Sequence, residues 1–138
     1  MLDKIYDENW NQLLTLSGDA SLIPNSVLRL ITSNRSDFDS AYWQIENQAI
    51  VQGDLFSCAS LLPKYLKYVV VETKFKREVI DLIWQIGTGY SHNNELKLAC
   101  FHAAEQAFKY LLDNPQVIGK KYHSIVLGEL DDMYDINL

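Results

Sequence analysis

The sequence lacks any long apolar segment. No window approaches the roughly 20 consecutive apolar residues that a membrane-spanning helix needs, and the first eight residues are charged where a secretory signal would be apolar. Cysteine is scarce as well, because only Cys58 and Cys100 are present, both in apolar contexts. Each is expected to be a small buried side chain with no redox or metal-binding role. These absences predict a cytoplasmic protein that makes no membrane contact.

The motifs of common enzyme chemistries are also missing. The chain has no glycine-rich phosphate loop and no nucleophile elbow, and its histidines lack the i, i+4 spacing of a zinc-binding helix. Neither cysteine lies at ligand spacing from the other or from a histidine. The sequence therefore predicts no catalytic residue, no metal site and no cofactor. We expect a protein that is not an enzyme.

Basic residues are outnumbered by acidic ones. Twelve Lys and Arg residues stand against 18 Asp and Glu residues, which gives a formal net charge of −6. A protein that binds nucleic acid directly needs a basic face to displace counterions from the phosphate backbone, and this composition argues against one. An acidic surface favours a basic protein partner, because opposite potentials steer the encounter.

Apolar residues recur with helical spacing along most of the 138-residue chain, which has the common length of one domain. The pattern predicts seven helices, over 3–17, from Pro24 onward, and over 36–48, 55–71, 73–87, 94–113 and 115–127. The apolar run at 68–72 could form a strand, but it continues a helical stripe. The acidic tail over 129–138 is interpreted either as a disordered solubilising end or as a segment that reaches a basic partner.

Several predicted helix boundaries depend on single residues. Gly18 is suited to end the first helix, and the Ser36–Asp39 segment resembles a capping box that opens the third. Gly53 and Asp54 are read as a turn followed by a helix N-cap, and Pro63 is expected to bend the helix that follows. Gly128 is expected to end the last helix.

Short connections between seven helices imply antiparallel neighbours and an all-α fold in a single domain over 1–138. The pairs 37–71 and 73–113 have the approximate size of a helical-repeat unit. A short HEAT-like solenoid and an irregular bundle both fit this pattern.

The charge changes sign within residues 36–77. No basic residue lies between Arg35 and Lys64, whereas five follow from Lys64 to Arg77 and are expected to be balanced within the molecule. On the predicted third helix, Asp39, Trp43 and Glu46 lie within about 60° of one another. A tryptophan flanked by carboxylates suits a hot spot for a basic partner, whereas the alternative places Trp43 in the core. The candidate partner-binding residues are Asp37, Asp39, Tyr42, Trp43, Glu46 and Asp54.

Residues 41–56, with Tyr-Trp followed by a carboxylate, amides, an apolar run and Gln-Gly, resemble a family of small HEAT-like bacterial proteins. The leucine-rich segments 61–66 and 79–86 extend the resemblance to about residues 38–90. Many members of that family look like immunity proteins encoded beside polymorphic or contact-dependent inhibition toxins. The resemblance implies a helical-repeat fold and a cognate toxin as partner, with a basic nuclease domain as the favoured kind. The acidic and aromatic surface would then occlude the active site of the toxin.

The sequence also allows two other functions. One is a HEAT-like adaptor with an endogenous bacterial partner and no toxin. The other is a helical enzyme acting on nucleic acid, which the acidic balance and the missing basic groove disfavour. The sequence leaves the oligomeric state undetermined.

Overall fold

A computed structural model describes residues 1–137. These residues form six α-helices: α1 (Ile23–Arg29), α2 (Arg35–Ala49), α3 (Leu62–Glu72), α4 (Lys76–Gly87), α5 (Asn94–Asp113) and α6 (Pro115–Asn137). Short 3₁₀ helices cover Leu2–Asp7, Trp10–Gln12 and Ser57–Leu61, and two hairpins pair β1 (Leu14–Thr15) with β2 (Gly18–Asp19) and β3 (Ile50–Val51) with β4 (Asp54–Leu55). A break at Gly119 divides α6, so seven α-helical segments result. The predicted all-α fold is confirmed.

The helices lie in two alternating layers. One layer consists of α1, α3 and α5, in which α3 packs on both of the others, and the second layer consists of α2, α4 and α6. Within the second layer α4 packs on α6, and α2 reaches α4 through side chains, with the Gln85 Nε2 atom 3.1 Å from the Tyr42 hydroxyl. This is the arrangement of a short solenoid of helical pairs.

Neighbouring units of the stack are connected by contacts between residues at similar sequence separations. Four contacts between helices of the same layer, or between segments that flank them, join residues 42 or 43 positions apart. Such pairs are Leu14 with Ser57, Leu30 with Thr73, Tyr42 with Gln85 and Tyr68 with Tyr110. Contacts between α4 and α6 join residues 48 to 52 positions apart. Because the separation changes little along each pair of helices, the helices within a layer run parallel. The predicted pair 37–71 is wrong, because a hairpin and a 3₁₀ helix separate α2 from α3, and α2 packs mainly on α1.

The continuous helix predicted over residues 3–17 is absent. Two 3₁₀ helices and the β1–β2 hairpin occupy this segment, and the buried indole N–H of Trp10 donates to the Ile5 carbonyl oxygen over 2.7 Å. Tyr6 and Leu14, which would share one apolar stripe with Trp10 in such a helix, are both exposed, whereas Trp10 is buried. Gly18 belongs to β2 and ends no helix. The spacing of apolar residues could not reveal that only some of them are buried.

The helix predicted to begin at Leu55 begins at Leu62. Gln52 and Gly53 both have positive φ, the two-residue hairpin geometry that matches the twist of the strands, so Asp54 starts β4 and caps no helix. Pro63 therefore lies in the first turn of α3, where its missing N–H breaks no hydrogen bond. The predicted bend at Pro63 does not occur.

Two further boundaries differ from the prediction. The N-cap of α2 is Asn34, whose side chain accepts a hydrogen bond from the Asp37 N–H, so the Ser36–Asp39 segment is not the capping box. α6 does not end at Gly128 but continues to Asn137. Leu130 and Met133 are buried there, and the segment 129–137 is a packed helix and not a disordered tail. Residue 138 of the predicted tail lies outside the described residues.

Other predicted elements agree with the structure. α5 covers Asn94–Asp113 as predicted, and its N-cap Asn93 accepts hydrogen bonds from two backbone N–H groups of the first turn. Cys58 and Cys100 are free and fully buried, which confirms their prediction as core residues. Over the described part of the chain, no helix is both long and apolar enough to span a membrane.

Candidate partner-binding site

Trp43 lies on the solvent side of α2, with 60% of its surface exposed. The helical period rotates it about 160° from Ile45, which is buried together with Phe38 and Ala41 on the opposite side. The interpretation that Trp43 completes the core is therefore wrong. A large exposed indole is the side chain type most enriched at the energetic centres of protein interfaces.

Tyr42 and Glu46 meet α4 at the side chain of Gln85. The Gln85 Nε2 atom lies 3.1 Å from the Tyr42 hydroxyl, 3.0 Å from a Glu46 oxygen and 2.9 Å from an Asp81 oxygen. An amide nitrogen carries two hydrogens, so these three acceptors share two donated bonds. Burial, with the charges of Glu46 and Asp81, raises the pKa of Tyr42, which therefore stays a neutral hydroxyl.

Sequence reasoning missed Gln85 and Asp81. Both lie on α4, outside the acidic segment, and they reach α2 only because the two helices are neighbours in one layer. Tyr42 and Gln85 are 43 residues apart and occupy corresponding positions in neighbouring units of the stack. No repeated sequence motif marks this correspondence, so the sequence offered no signal that would have identified Gln85.

The remaining predicted carboxylates are spread over different surfaces. Asp39 precedes Trp43 by about one helical turn on the same side of α2 and forms an ion pair with Arg35 at 3.0 Å. Asp37 precedes Glu46 by nine residues, two and a half turns, and so points to the opposite side of the helix. Asp54 lies beyond the carboxyl end of α2, in a separate cleft of about 360 Å³ with Tyr90. The structure thus groups Asp39, Tyr42, Trp43 and Glu46, and leaves Asp37 and Asp54 apart.

The acidic character continues from α2 across the layer of α2, α4 and α6. These three helices carry nine carboxylates and five cationic side chains, whereas α1, α3 and α5 carry four carboxylates and five cationic side chains. A second tryptophan, Trp84 of α4, donates from its indole N–H to Asp132 of α6 over 2.9 Å. The negative charge of the chain is therefore concentrated in one of the two layers.

Two of the five cations in the basic cluster at 64–77 form ion pairs within the molecule, and neither pairs with the acidic segment 37–54. Lys64 contacts Glu8 at 3.4 Å and Arg77 contacts Glu129 at 3.3 Å. The Lys76 ammonium donates to three carbonyl oxygens at the end of α3, over 2.8 to 2.9 Å, where a cation complements the helix dipole. Among the carboxylates near Trp43, Asp39 is therefore paired only with Arg35 of its own helix, and Glu46 and Asp81 form no ion pair within residues 1–137.

We name the acidic tryptophan surface after Asp39, Trp43 and Glu46 of α2 and Asp81 of α4. Its ionised carboxylates only accept hydrogen bonds, which suits lysine and arginine side chains of a partner. Within residues 1–137, no group of three or more His, Cys, Asp or Glu side chains is placed to hold a metal ion. Comparison of the chain with protein families, with curated proteins and with solved structures gives no match.

Proposed function

We propose that this chain is an immunity protein that binds one cognate bacterial toxin through the acidic tryptophan surface and blocks its active site. The exposure of Trp43 between Asp39 and Glu46 carries the proposal, because it combines apolar area with negative charge on a solvent-facing helix. The resemblance of residues 38–90 to immunity proteins supports a toxin as the partner. The acidic balance supports a basic nuclease domain as its class.

The mechanism follows from the charges and the indole. Asp39, Glu46 and Asp81 would occupy the cationic substrate groove of the toxin in place of nucleic acid phosphates. Opposite potentials raise the association rate, and the association rate should fall steeply with added salt. Burial of Trp43 would slow dissociation, since a desolvated aromatic anchor contributes on the order of 2 kcal/mol or more.

The carboxylates of Glu46 and Asp81 give the partner a specific point of attachment. Because the two hydrogens of the Gln85 amide are shared among three acceptors, a lysine or arginine of the toxin can donate to Glu46 or Asp81 while Gln85 keeps its other hydrogen bonds. Such a bond between charged groups is shorter and stronger than a neutral one.

The double substitution Trp43→Ala with Glu46→Lys should abolish protection of cells that express the toxin, because it removes the indole anchor and reverses the charge of the carboxylate beside it. Helical circular dichroism should stay unchanged, since Trp43 is exposed. The matched control is Tyr6→Ala with Glu72→Lys, which makes the same kinds of change at exposed positions elsewhere and should protect fully.

Affinity capture from the source cells identifies the partner, with the wild-type chain and the double variant as baits. A toxin retained by the wild type and lost by the variant supports both the function and the surface. A non-toxic cellular protein retained in the same way would replace the immunity function with that of an adaptor. Full protection by the folded double variant would exclude this surface.

A further inference from the structure

A polar cleft of about 280 Å³ lies between the β1–β2 hairpin, the segment that precedes α1, and α2. Its walls carry the hydroxyl groups of Thr15, Ser17 and Ser21 and the side-chain amides of Gln44 and Gln48. Among the residues that the structure describes, one charged side chain lines the cleft, and it is a carboxylate. None of these side chains belongs to the acidic tryptophan surface, so the cleft is a separate feature.

Hydrogen bonds hold the hairpin against α2 and fix the walls of the cleft. The Leu16 N–H donates to the Gln48 carbonyl oxygen over 2.9 Å, and the Ser17 N–H donates to the Gln48 Oε1 atom over 3.1 Å. Within the hairpin the Thr15 hydroxyl donates to the Gly18 carbonyl oxygen over 3.1 Å. The cleft is therefore preorganised, which lowers the entropy lost when a ligand binds.

Two acceptors of the cleft are available to a ligand. The charged residue is Asp19, whose Oδ1 atom accepts a hydrogen bond from the Ser21 N–H over 3.0 Å. Hydrogen bonds from Ser21 lower the pKa of the Asp19 carboxyl, which stays ionised at neutral pH and keeps free lone pairs. Gln44 is half-buried, and its amide has no hydrogen-bond partner within residues 1–137, so the amide oxygen is a second acceptor.

Two exposed apolar side chains lie next to this polar cleft. Leu22 lines it and is 66% exposed. Trp43 directly precedes Gln44 and lies about 100° from it around α2. A standard interface covers roughly 800 Å² on each partner, so a protein that is centred on Trp43 also reaches the cleft.

The size and the chemistry of the cleft favour a single cationic side chain as its occupant. The volume of about 280 Å³ lies below the roughly 300–1,000 Å³ of pockets that hold drug-sized ligands. The Asp19 carboxylate repels an anion and favours a cation. A guanidinium suits these acceptors better than an ammonium does, because its five donors form a rigid planar fork and it is less strongly hydrated.

We infer that the cleft receives an arginine side chain of the partner protein. The guanidinium donates to the Asp19 carboxylate and to the Gln44 amide oxygen, while the aliphatic stem packs on Leu22. Arginine and tryptophan are both enriched at hot spots, and hot spots tend to pair across an interface. The inference rests on the proposed function only for the identity of the partner, because the chemistry of the cleft does not depend on it.

A nuclear magnetic resonance titration with a small probe tests the cleft without the partner. N-acetyl-arginine methylamide should shift the backbone amide signals of Ser17 and Ser21 to saturation, with a dissociation constant on the order of millimolar. The matched probe is N-acetyl-citrulline methylamide, which has the same shape but no charge and should cause no saturable shift. Shifts that stay linear with the arginine probe, or equal shifts with both probes, would overturn the inference.

Substitutions in the cleft should change the affinity for the arginine probe in opposite directions. Asp19→Asn should weaken binding about tenfold, because it removes the charge but keeps an acceptor for the Ser21 N–H. Gln44→Glu should strengthen binding about tenfold, because it adds a second carboxylate. The matched control is Asp113→Asn, at an exposed position that ends α5, which should leave binding unchanged. Unchanged affinity in both cleft variants, with each folded by circular dichroism, would contradict the site.

The acidic tryptophan surface can be separated from the cleft. The Trp43→Ala, Glu46→Lys variant should bind the arginine probe as the wild type does, since neither side chain lines the cleft. A captured partner that binds Asp19→Asn as tightly as the wild type would show that it does not use the cleft. The inference would then fail while the proposed function stands. If capture yields no toxin, the proposed function fails, whereas saturable binding of the probe still supports the cleft.

Discussion

At the scale of single residues, the glycines show how one atom of side chain can decide packing. Gly87 ends α4 as the sequence predicted, but its backbone lies against α5 and α6. A Cβ atom at this position would lie 2.2 Å from the Met133 sulfur and 2.9 Å from the Ala104 Cβ. The sequence indicated only that Gly87 ends a helix. In the structure, the missing side chain also allows α4 to pack closely against α5 and α6.

Substitution of two glycines to alanine separates these effects. Gly87→Ala should lower the free energy of unfolding by about 1–3 kcal/mol, because overpacking forces the neighbouring helices apart. Gly128→Ala is the control: nothing lies within 4 Å of its added Cβ, and alanine is the better helix former by about 1 kcal/mol. Urea denaturation measures both changes, and equal effects of the two substitutions would contradict the packing role.

At the scale of elements, α5 and α6 are joined by one charged hydrogen bond. Tyr134 donates to Glu105, and this bond, with Lys109 and His102 nearby, lowers the pKa of the Glu105 carboxyl below its usual value. The same bond raises the pKa of Tyr134 to about 12. A lowered carboxyl pKa contributes stability above the unfolded-state value near 4.5 and loses it as the pH falls below that value.

Removal of this bond should therefore have a pH-dependent effect on stability. Glu105→Gln should lower the free energy of unfolding by about 1–2 kcal/mol at pH 7, and the difference from the wild type should shrink below about pH 4.5. Tyr134→Phe should lower stability at pH 7 in the same direction, because it removes the donor. Chemical denaturation at a series of pH values measures the effect. A difference that stays constant down to pH 3 would contradict the assignment.

Elements also show where sequence patterns succeed and where they fail. α5 was predictable because a long apolar stripe, an asparagine cap and a following proline agree with one another. The first 20 residues were not, since Tyr6, Trp10 and Leu14 have helical spacing but only Trp10 is buried, where it packs against the distant Tyr65. Pro63 was placed inside a helix because the β3–β4 hairpin before it was not recognised.

At the scale of the whole molecule, the stacked units share one core in which Cys58 and Cys100 are both fully buried. Burial raises the pKa of each thiol to about 12, so almost no reactive thiolate is present in the folded state at neutral pH. The two thiols belong to consecutive units of the stack, the 3₁₀ helix before α3 and the helix α5.

Thiol labelling can therefore report how the stack unfolds. In native buffer both cysteines should be unreactive toward a thiol reagent at neutral pH, and both should react at the same rate if the units unfold together. Mass spectrometry of labelled peptides at increasing urea measures the two rates separately. Much faster labelling of one cysteine would show that the units open independently.

The helical character of the chain, its excess of negative charge and the helix that became α2 could be predicted, because they depend on local periodicity and on residue counts. The exposure of Trp43, and the contact of Tyr42, Glu46 and Asp81 with Gln85, could be seen only in the folded chain. The physical reason is that burial depends on which helices become neighbours. In this protein those neighbours are about 43 residues apart and share no repeated motif.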